Sequence, residues 1–464
     1  MPRIPETSGP AGEHNGIEFI DGNNVRKRYA RKDHGLRGLR YRLIGMLGGS
    51  VPVEQWSPAA RRDFEADCLE LWDSRGFSVP VPAKRVDAVA ELIMPRIEGP
   101  TLQQVLGDSS RDLQDKLEHV EQVFEEMRHR HCWAIYEGEH RLVHYDSNTR
   151  NIMFASRGVT RIDFEMGRLD EKIDRSAARE VKKVTIEIIN QIGSGYADEI
   201  MNLLVRSYGI RHVLRRMADE ELERLISFIH VRNDRRRKAS SPGLFTKLDL
   251  ANALRKRDMV GNRHLSPRRS ESLLEEATNT SWDGKFYQSF DDEDPRGRDM
   301  RHRYEIMQFP DSLEGLSVLD LGCNLGRICI DAMDRGASRA VGIDFRKDVM
   351  DAVNAYCRKR GNGAEFYGVD VNDGAAALKR IVGEQPFDMV FALAIWSHVD
   401  QKELWEIIDS CCGQTCVFED NAPSRVGNVA AVERTLRDQL SFNEVEFLGF
   451  TCDRGIRSVF RLQR

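Results

Sequence analysis

Two groups of residues in the 464-residue chain have the types and spacing to do chemistry. The first runs from Ser317 to Asp344, SVLDLGCNLGRICIDAMDRGASRAVGID. An apolar β-type run ends at Asp320, a tight loop carries Gly322, Asn324 and Gly326, and a second apolar run stops at Asp344. In open parallel sheets a ligand binds beyond the carboxyl ends of the strands, where glycines let the backbone approach it and an acid can hold a ribose. The loop lacks G-x-G-x-x-G spacing, which argues against a dinucleotide pyrophosphate. The second group is His144, Asp146, Asn151 and Asp163, at the borders of two short β-type runs, NIMFA and VTRID. Two carboxylates and an amide oxygen suit a magnesium-phosphate site, because Mg²⁺ takes oxygen ligands, retains water and is usually held by one or two carboxylates plus substrate phosphates. An aspartate nearby can orient a hydroxyl or accept its proton.

The elements around these groups follow from periodicity. GIEFIDGNNVRKRY alternates as a hairpin with a turn at Asp21 to Asn24 and puts Val25, Lys27 and Tyr29 on one face. A lysine on such a face either snorkels at an edge or aims at an anion. SPAARRDFEADCLELWDSRG has cap chemistry, helical spacing and a terminating glycine, which places Glu65 inside a helix. AELIM predicts a buried strand; helices follow from Thr101, over 111–131, over 177–208 and over 210–230. Past Asp344, AEFYGVD predicts a strand ending at Asp370, FDMVFALAIWSHV a strand and loop, QTCVFED another strand, and VEFLGF with IRSVFRLQ an antiparallel pair. Seven strands alternating with helices describe an α/β sheet.

The totals set the outer limits. The length suggests two or three domains, and 41% hydrophobic with 31% charged residues is globular composition. The net charge of −5 gives no global pull toward nucleic acid, and no interleaved aromatic platform accompanies the basic clusters. Those clusters are the segment over 36–47, with Arg37, Arg40 and Arg42 among leucines, and the stretches over 231–243 and 262–272. They suit a solvated face or peripheral contact with an anionic membrane surface. Nine cysteines without a C-x-x-C pair point to reduced thiols rather than structural zinc. With no apolar run of about eighteen residues and no apolar signal core, a cytoplasmic location, peripheral at an inner membrane, is expected.

The D-x-G-x-N-x-G loop, with an acid eighteen residues after its last glycine, resembles the S-adenosylmethionine site of class I methyltransferases. The resemblance implies Asp320, Gly322, Asn324 and Gly326 around the methionine part, Asp344 on the ribose, Asp370 and Val371 at the adenine, and Ala392 with Leu393 lining the methyl-donor pocket. His398, just past the fourth strand, is the base candidate for an acceptor that needs one. His144-x-Asp146-x-x-x-x-Asn151, then Asp163-Phe164 twelve residues on, resembles the catalytic and metal loops of the protein-kinase fold. That resemblance implies Lys27 on the ATP phosphates, Glu65 as its helix partner, and Ile93 to Ile97, with Met94 and Ile97 in contact, as the adenine hinge. It casts Asp146 as hydroxyl-orienting base and Asn151 and Asp163 as Mg²⁺ ligands. No glycine-rich loop is present, Glu165 stands where a glycine is usual, and no A-P-E segment follows. These departures resemble small atypical kinases of the lipopolysaccharide-core type and leave a non-catalytic module open.

YQSF at 287–290, GRDMRHRYEIM, VLDLGCNLG, the pair at 343–344 and LAIWSHV are similar to the methyltransferase domain of bifunctional kinase-methyltransferases that cap polymannose O-antigen chains, with the domain order reversed. This implies Tyr287, Gln288 and Arg303 as further cofactor contacts, a glycan or lipid-linked saccharide acceptor, and methylation of a phosphate that the kinase has just made. Two independent activities are the alternative. The expected architecture is a disordered N-terminus over 1–16, an α+β protein-kinase-like bilobal domain over 17–245, a basic linker over 246–280, and an α/β seven-stranded Rossmann-like class I methyltransferase domain over 281–464.

Overall fold

The computed structural model describes residues 16–30, 53, 56–86, 90–169, 171–222, 232, 236–241, 243–257, 288, 298–421 and 428–464. The chain divides into two units, Met1–Gly261 and Asn262–Arg464. The basic segments over 36–47 and 262–272, and Tyr287, lie outside the described residues, as do 231, 233–235 and 242 of the stretch over 231–243.

The first unit opens with an antiparallel sheet of β1 (Gly16–Phe19), β2 (Asn24–Arg28), β3 (Lys84–Val86) and β4 (Glu91–Pro95), in the order β1-β2-β4-β3. The Asp21 carboxylate accepts the amides of Asn23 and Asn24 at 3.1 and 2.9 Å and closes the first turn. Lys27 lies opposite Ile17 on one side and Leu92 on the other. It is buried with Tyr29 while Arg28 between them is exposed, which is the period of two that alternation predicts. Helix α1 (Pro58–Ser74) starts at Ser57, whose Oγ accepts the Ala60 amide at 3.2 Å, with Pro58 in the first turn. Its buried stripe of Glu65, Leu69 and Trp72 follows from i, i+4, i+7 spacing.

Helices α2 (Leu102–Gly107) and α3 (Leu113–Glu137) precede the hairpin β5 (Ile152–Ala155) and β6 (Gly158–Arg161). Then come α4 (Ile173–Ile192), α5 (Ala197–Leu203), α6 (Arg211–Leu222) and α7 (Lys247–Lys256). The helix expected over 111–131 runs on to Glu137, and the one expected over 177–208 breaks after Ile192. The expected linker from 246 needs correction. Thr246 and Asp249 form a capping box, and Leu250, Ala251 and Leu254 are buried where α7 packs against α4 and α6. Their helical spacing buries an apolar stripe, so this stretch belongs to the first unit.

The second unit holds seven strands: β7 (Ser317–Leu321), β8 (Arg339–Asp344), β9 (Glu365–Gly368), β10 (Phe387–Leu393), β11 (Cys412–Glu419), β12 (Glu444–Thr451) and β13 (Arg457–Gln463). Their order is β9-β8-β7-β10-β11-β13-β12, parallel except for β13, which runs antiparallel to both its neighbours. The connecting helices are α8 (Met300–Met307), which precedes β7, then α9 (Arg327–Asp334), α10 (Lys347–Arg360), α11 (Ala375–Val382), α12 (Gln401–Cys411) and α13 (Val429–Gln439). Consecutive strand residues such as Val318 and Leu319, or Val417 and Phe418, are all buried, so both faces of the sheet are covered. Strand order reverses between β7 and β10. A crevice therefore opens at their carboxyl ends.

Candidate functional site

In the first unit, three acids converge on one ammonium. Lys27 Nζ lies 2.7 Å from Glu65 Oε2, 2.5 Å from Asp163 Oδ1 and 4.0 Å from Glu165 Oε2. Tyr29 donates its hydroxyl to the same Glu65 oxygen at 2.7 Å. Lys27 is almost wholly buried, which alone would lower its pKa, but the fields of Glu65, Asp163 and Glu165 outweigh burial and raise it. Glu65 is raised by burial, with Lys27 pulling the other way. Glu165 also faces Arg61 at 3.4 Å, so the residue in the usual glycine position joins a charge network.

Asp163 adopts φ +68°, a left-handed conformation rare outside glycine. The following Phe164 packs edge-on against Trp72 and His144, with ring centroids 4.6 and 4.7 Å away. His144 Nε2 lies 3.0 Å from the Ile162 carbonyl, and burial holds its pKa down at about 4, so it is a neutral structural imidazole. Asn151 donates its amide to the Asp146 carbonyl at 3.0 Å, and its own carbonyl accepts the Ile162 amide at 3.2 Å. Its Oδ1 makes no hydrogen bond among the described residues. Lys183 donates to Asp146 Oδ1 at 3.1 Å. Met94 sits on β4 opposite Val25, partly buried against the core, and Ile97 follows just past the strand.

Sequence reasoning missed the acid beneath this loop, Glu180 on α4. It accepts the His144 amide at 2.8 Å, pairs with Arg130 at 2.5 Å and lies 3.0 Å from His131 Nε2. Arg130 and His131 hold it well below the usual carboxylate range despite complete burial. A single glutamate in a helix carries no motif. Only its apolar surroundings, in a stripe of alanines and valines, could have marked it.

In the second unit, the loop after β7 is tied down by its own backbone. The amides of Gly322 and Cys323 both donate to the Ile343 carbonyl at 2.9 Å, and the Asn324 amide donates to Asp344 Oδ2 at 3.1 Å. Gly322 and Gly326 adopt φ +73° and +72°. A Cβ on Gly322 would stand 2.9 Å from Ile395, and one on Gly326 only 2.1 Å from the Phe366 ring. Asp320 is buried, and its carboxylate has no hydrogen bond or ion pair among the described residues. Burial pushes it up to about 7 against the pull of Arg303. Asn324 Oδ1 is likewise buried without a hydrogen-bond partner among the described residues. Asp344, raised by burial, accepts the Arg346 amide at 3.1 Å. Gly322, Asn324, Asp344, Val371 and Leu393 line one cavity of about 830 Å³.

A family model described as a methyltransferase domain matches residues 318–414. The second unit carries an S-adenosylmethionine-dependent methyltransferase domain. It has the class I fold: five parallel strands followed by an antiparallel pair, with the loop after β7 at the reversal of strand order. A stretch of 68 residues is 35% identical to an uncharacterized protein of Methanocaldococcus jannaschii, and the chain spans 31% of that protein's length. Similar solved structures include a magnesium protoporphyrin IX methyltransferase from Synechocystis with bound S-adenosylhomocysteine, at 16% identity and TM-score 0.28, covering 38% of this chain and 87% of that one. The bifunctional kinase-methyltransferase WbdD is similar at 18% identity and TM-score 0.31, covering 39% of this chain and 44% of its own.

The methyltransferase site fits the cofactor by its own chemistry. A partnerless buried carboxylate at Asp320 suits an ammonium, Asp344 at a strand tip suits ribose hydroxyls, and the glycine loop leaves room for backbone approach. Asp370 is exposed, with one oxygen occupied by the Asn372 amide at 2.9 Å, beside the buried Val371. Three expected residues take different places. Ala392 is fully buried between β7 and β11, so the pocket wall begins at Leu393 and continues through Ala394, which has φ +58°, to Ile395. Gln288 spends its amide on the loop itself, accepting the Leu325 amide at 3.0 Å. Arg303 pairs with Glu419 at 2.8 Å, with Asp320 in its field. His398 lines the cavity and is exposed; burial of part of its ring and the nearby Arg457 lower its pKa.

Proposed function

We propose that the chain is a bifunctional enzyme: the first unit transfers a phosphoryl group from ATP to a sugar hydroxyl on a surface-glycan or lipid-linked acceptor, and the methyltransferase domain methylates the resulting phosphate. The observation that carries the kinase half is the meeting of Lys27, Glu65 and Asp163, drawn from distant parts of the sequence, on a single buried ammonium. In this reading Lys27 holds nucleotide phosphates, Glu65 and Tyr29 fix its position, and Asn151 with Asp163 would hold Mg²⁺, whose charge offsets that of the phosphates. Asp146 orients the acceptor hydroxyl and takes its proton, while Lys183 donates to one of its carboxylate oxygens and holds the side chain in place.

In the methyltransferase domain the cofactor supplies a methyl group on a sulfonium, so displacement removes charge and alignment can do most of the catalysis, of order 7–11 kcal/mol. Asp320 would hold the ammonium, Asp344 the ribose, and Leu393, Ala394 and Ile395 would shape the wall against which the acceptor is aligned. No helix among the described residues is long and apolar enough to cross a membrane. We place the protein in the cytoplasm, with its basic segments available to a membrane surface and no nucleic-acid partner.

The test uses the full chain, labelled ATP and labelled S-adenosylmethionine with fractionated cell-envelope saccharides. One fraction takes both labels, and Asp146→Ala loses phosphate transfer while still methylating purified phosphorylated glycan. Methylation that is indifferent to prior ATP treatment would show two independent activities. A second reading has its own support: with Glu165 as a third acid near Lys27 and Arg61, the first unit suits a non-catalytic binding module. Magnesium-dependent ATP binding by the full chain that is lost in Lys27→Met excludes it.

A further inference from the structure

The far wall of the methyltransferase cavity is cationic. Strand β13 runs antiparallel to β11, so its first residue, Arg457, stands at the carboxyl ends of the parallel strands, beside the cofactor crevice. Arg454, Arg457 and His398 line the same cavity as Asp344 and Asn324. Beneath them is a buried cluster in which Glu419 takes Arg298 at 3.0 Å, Arg303 at 2.8 Å and the Thr451 hydroxyl, and Asp453 takes Arg298 at 2.7 Å.

Arg457 reaches this cluster late. Its Nη1 is 3.7 Å from Glu419 Oε2, the oxygen that already accepts from Arg303, and that buried nitrogen makes no hydrogen bond among the described residues. Among the described residues this 3.7 Å approach is the nearest acid that Arg457 has. Buried charge left uncompensated is costly and is relieved by a counter-ion. The neighbouring His398 has its pKa lowered by burial and by Arg457, the direction a positive wall produces.

We propose that Arg454 and Arg457 form a clamp for an oxyanion, phosphate or carboxylate, that is the methyl acceptor. A guanidinium fork matches the planar spacing of two such oxygens. The acceptor oxygen bonds to the methyl carbon as the carbon–sulfur bond breaks, with that electron pair staying on sulfur. The oxyanion gives up its charge, no proton moves, and His398 need not act as base. The clamp rests on the methyltransferase assignment and is independent of the kinase reading.

The test is calorimetric binding of phenyl phosphate, benzoate and phenol to the full chain saturated with S-adenosylhomocysteine. One or both anions bind and phenol does not, and their order says which oxyanion the site takes. Arg457→Gln and Arg454→Gln each weaken the anion roughly ten- to a hundredfold, the range for a hydrogen bond to a charged group, while S-adenosylhomocysteine binds as before. Arg457→Lys keeps the charge beside Glu419 and removes the fork, and serves if the glutamine form does not fold. Phenol binding as well as the anions, or anion affinity unchanged in the variants, overturns the clamp. Failure of the wild-type chain to bind S-adenosylhomocysteine would instead overturn the cofactor assignment on which the clamp depends.

Discussion

Replacing Asp320 by asparagine tests whether the buried carboxylate is kept for the cofactor. Its folded pKa is raised from an ordinary 3.8 to about 7 by burial. A raised carboxylate pKa means that the stability present at low pH is lost as pH climbs from the unfolded value through the folded one. At 1.36 kcal/mol per unit the whole loss is about 4 kcal/mol, of which about 2.5 kcal/mol falls between pH 5 and 8. Asparagine has nearly the same shape and no charge. Asp320→Asn should therefore become more stable than wild type, relative to pH 5, as pH rises to 8. Hydrogen exchange of the β7 and β8 amides reads this locally, without involving the first unit. The same substitution should cost most of the affinity for S-adenosylhomocysteine, whose ammonium loses its counter-ion. A stability difference that stays flat from pH 5 to 8, or undiminished ligand affinity, would refute the argument.

Three further outcomes follow from the geometry. Gly326→Ala puts a Cβ 2.1 Å from Phe366 at φ +72° and should lower the melting temperature of the methyltransferase domain, a loss of about 1–3 kcal/mol, while also weakening S-adenosylhomocysteine binding. Glu180→Gln removes one of the two carboxylates on buried Arg130, leaving Glu126 at 2.7 Å, and should cost about 1–3 kcal/mol in denaturant unfolding of the first unit. Lys27→Met removes the ammonium that separates Glu65 from Asp163, and should abolish ATP-dependent phosphate transfer with methyl transfer to a pre-phosphorylated acceptor unchanged.

What the sequence disclosed was local or strongly periodic. The loop from Asp320 to Gly326 and the acid at Asp344 lie within one strand-loop-helix-strand unit, so their spacing alone brings them together. Periodicity put Lys27 on a strand face and Glu65 inside a helix, and only the resemblance carried by the motif over 144–163 implied that the two meet. Glu180, Glu419 and Arg298 could not, since their roles come from partners contributed by remote segments. Glu419 did leave one trace: it stands at the end of the strand QTCVFED, as Asp320 and Asp344 end theirs. The amphipathic spacing of α7 was legible over 248–256, but its flanking arginines and serines placed it in a linker rather than in the first unit. Gln288 was expected to touch the cofactor, but an amide beside bent backbone finds donors in that backbone first.

Among the described residues four other than glycine hold left-handed backbone, and three of them, Asp163, Asn324 and Ala394, stand at the two candidate sites. Ala394 is fixed there by neighbours: its amide donates to the Glu419 carbonyl at 2.9 Å, and its carbonyl accepts from Asn421 at 2.6 Å. A redesign that ranked every position by backbone comfort would change these residues among the first. It would gain melting temperature and erase activity together, because relaxed geometry at these positions is what the sites cannot tolerate. The same conflict gives a practical rule for thermostable variants of this chain: leave 163, 324 and 394 as they are, and look for stability elsewhere.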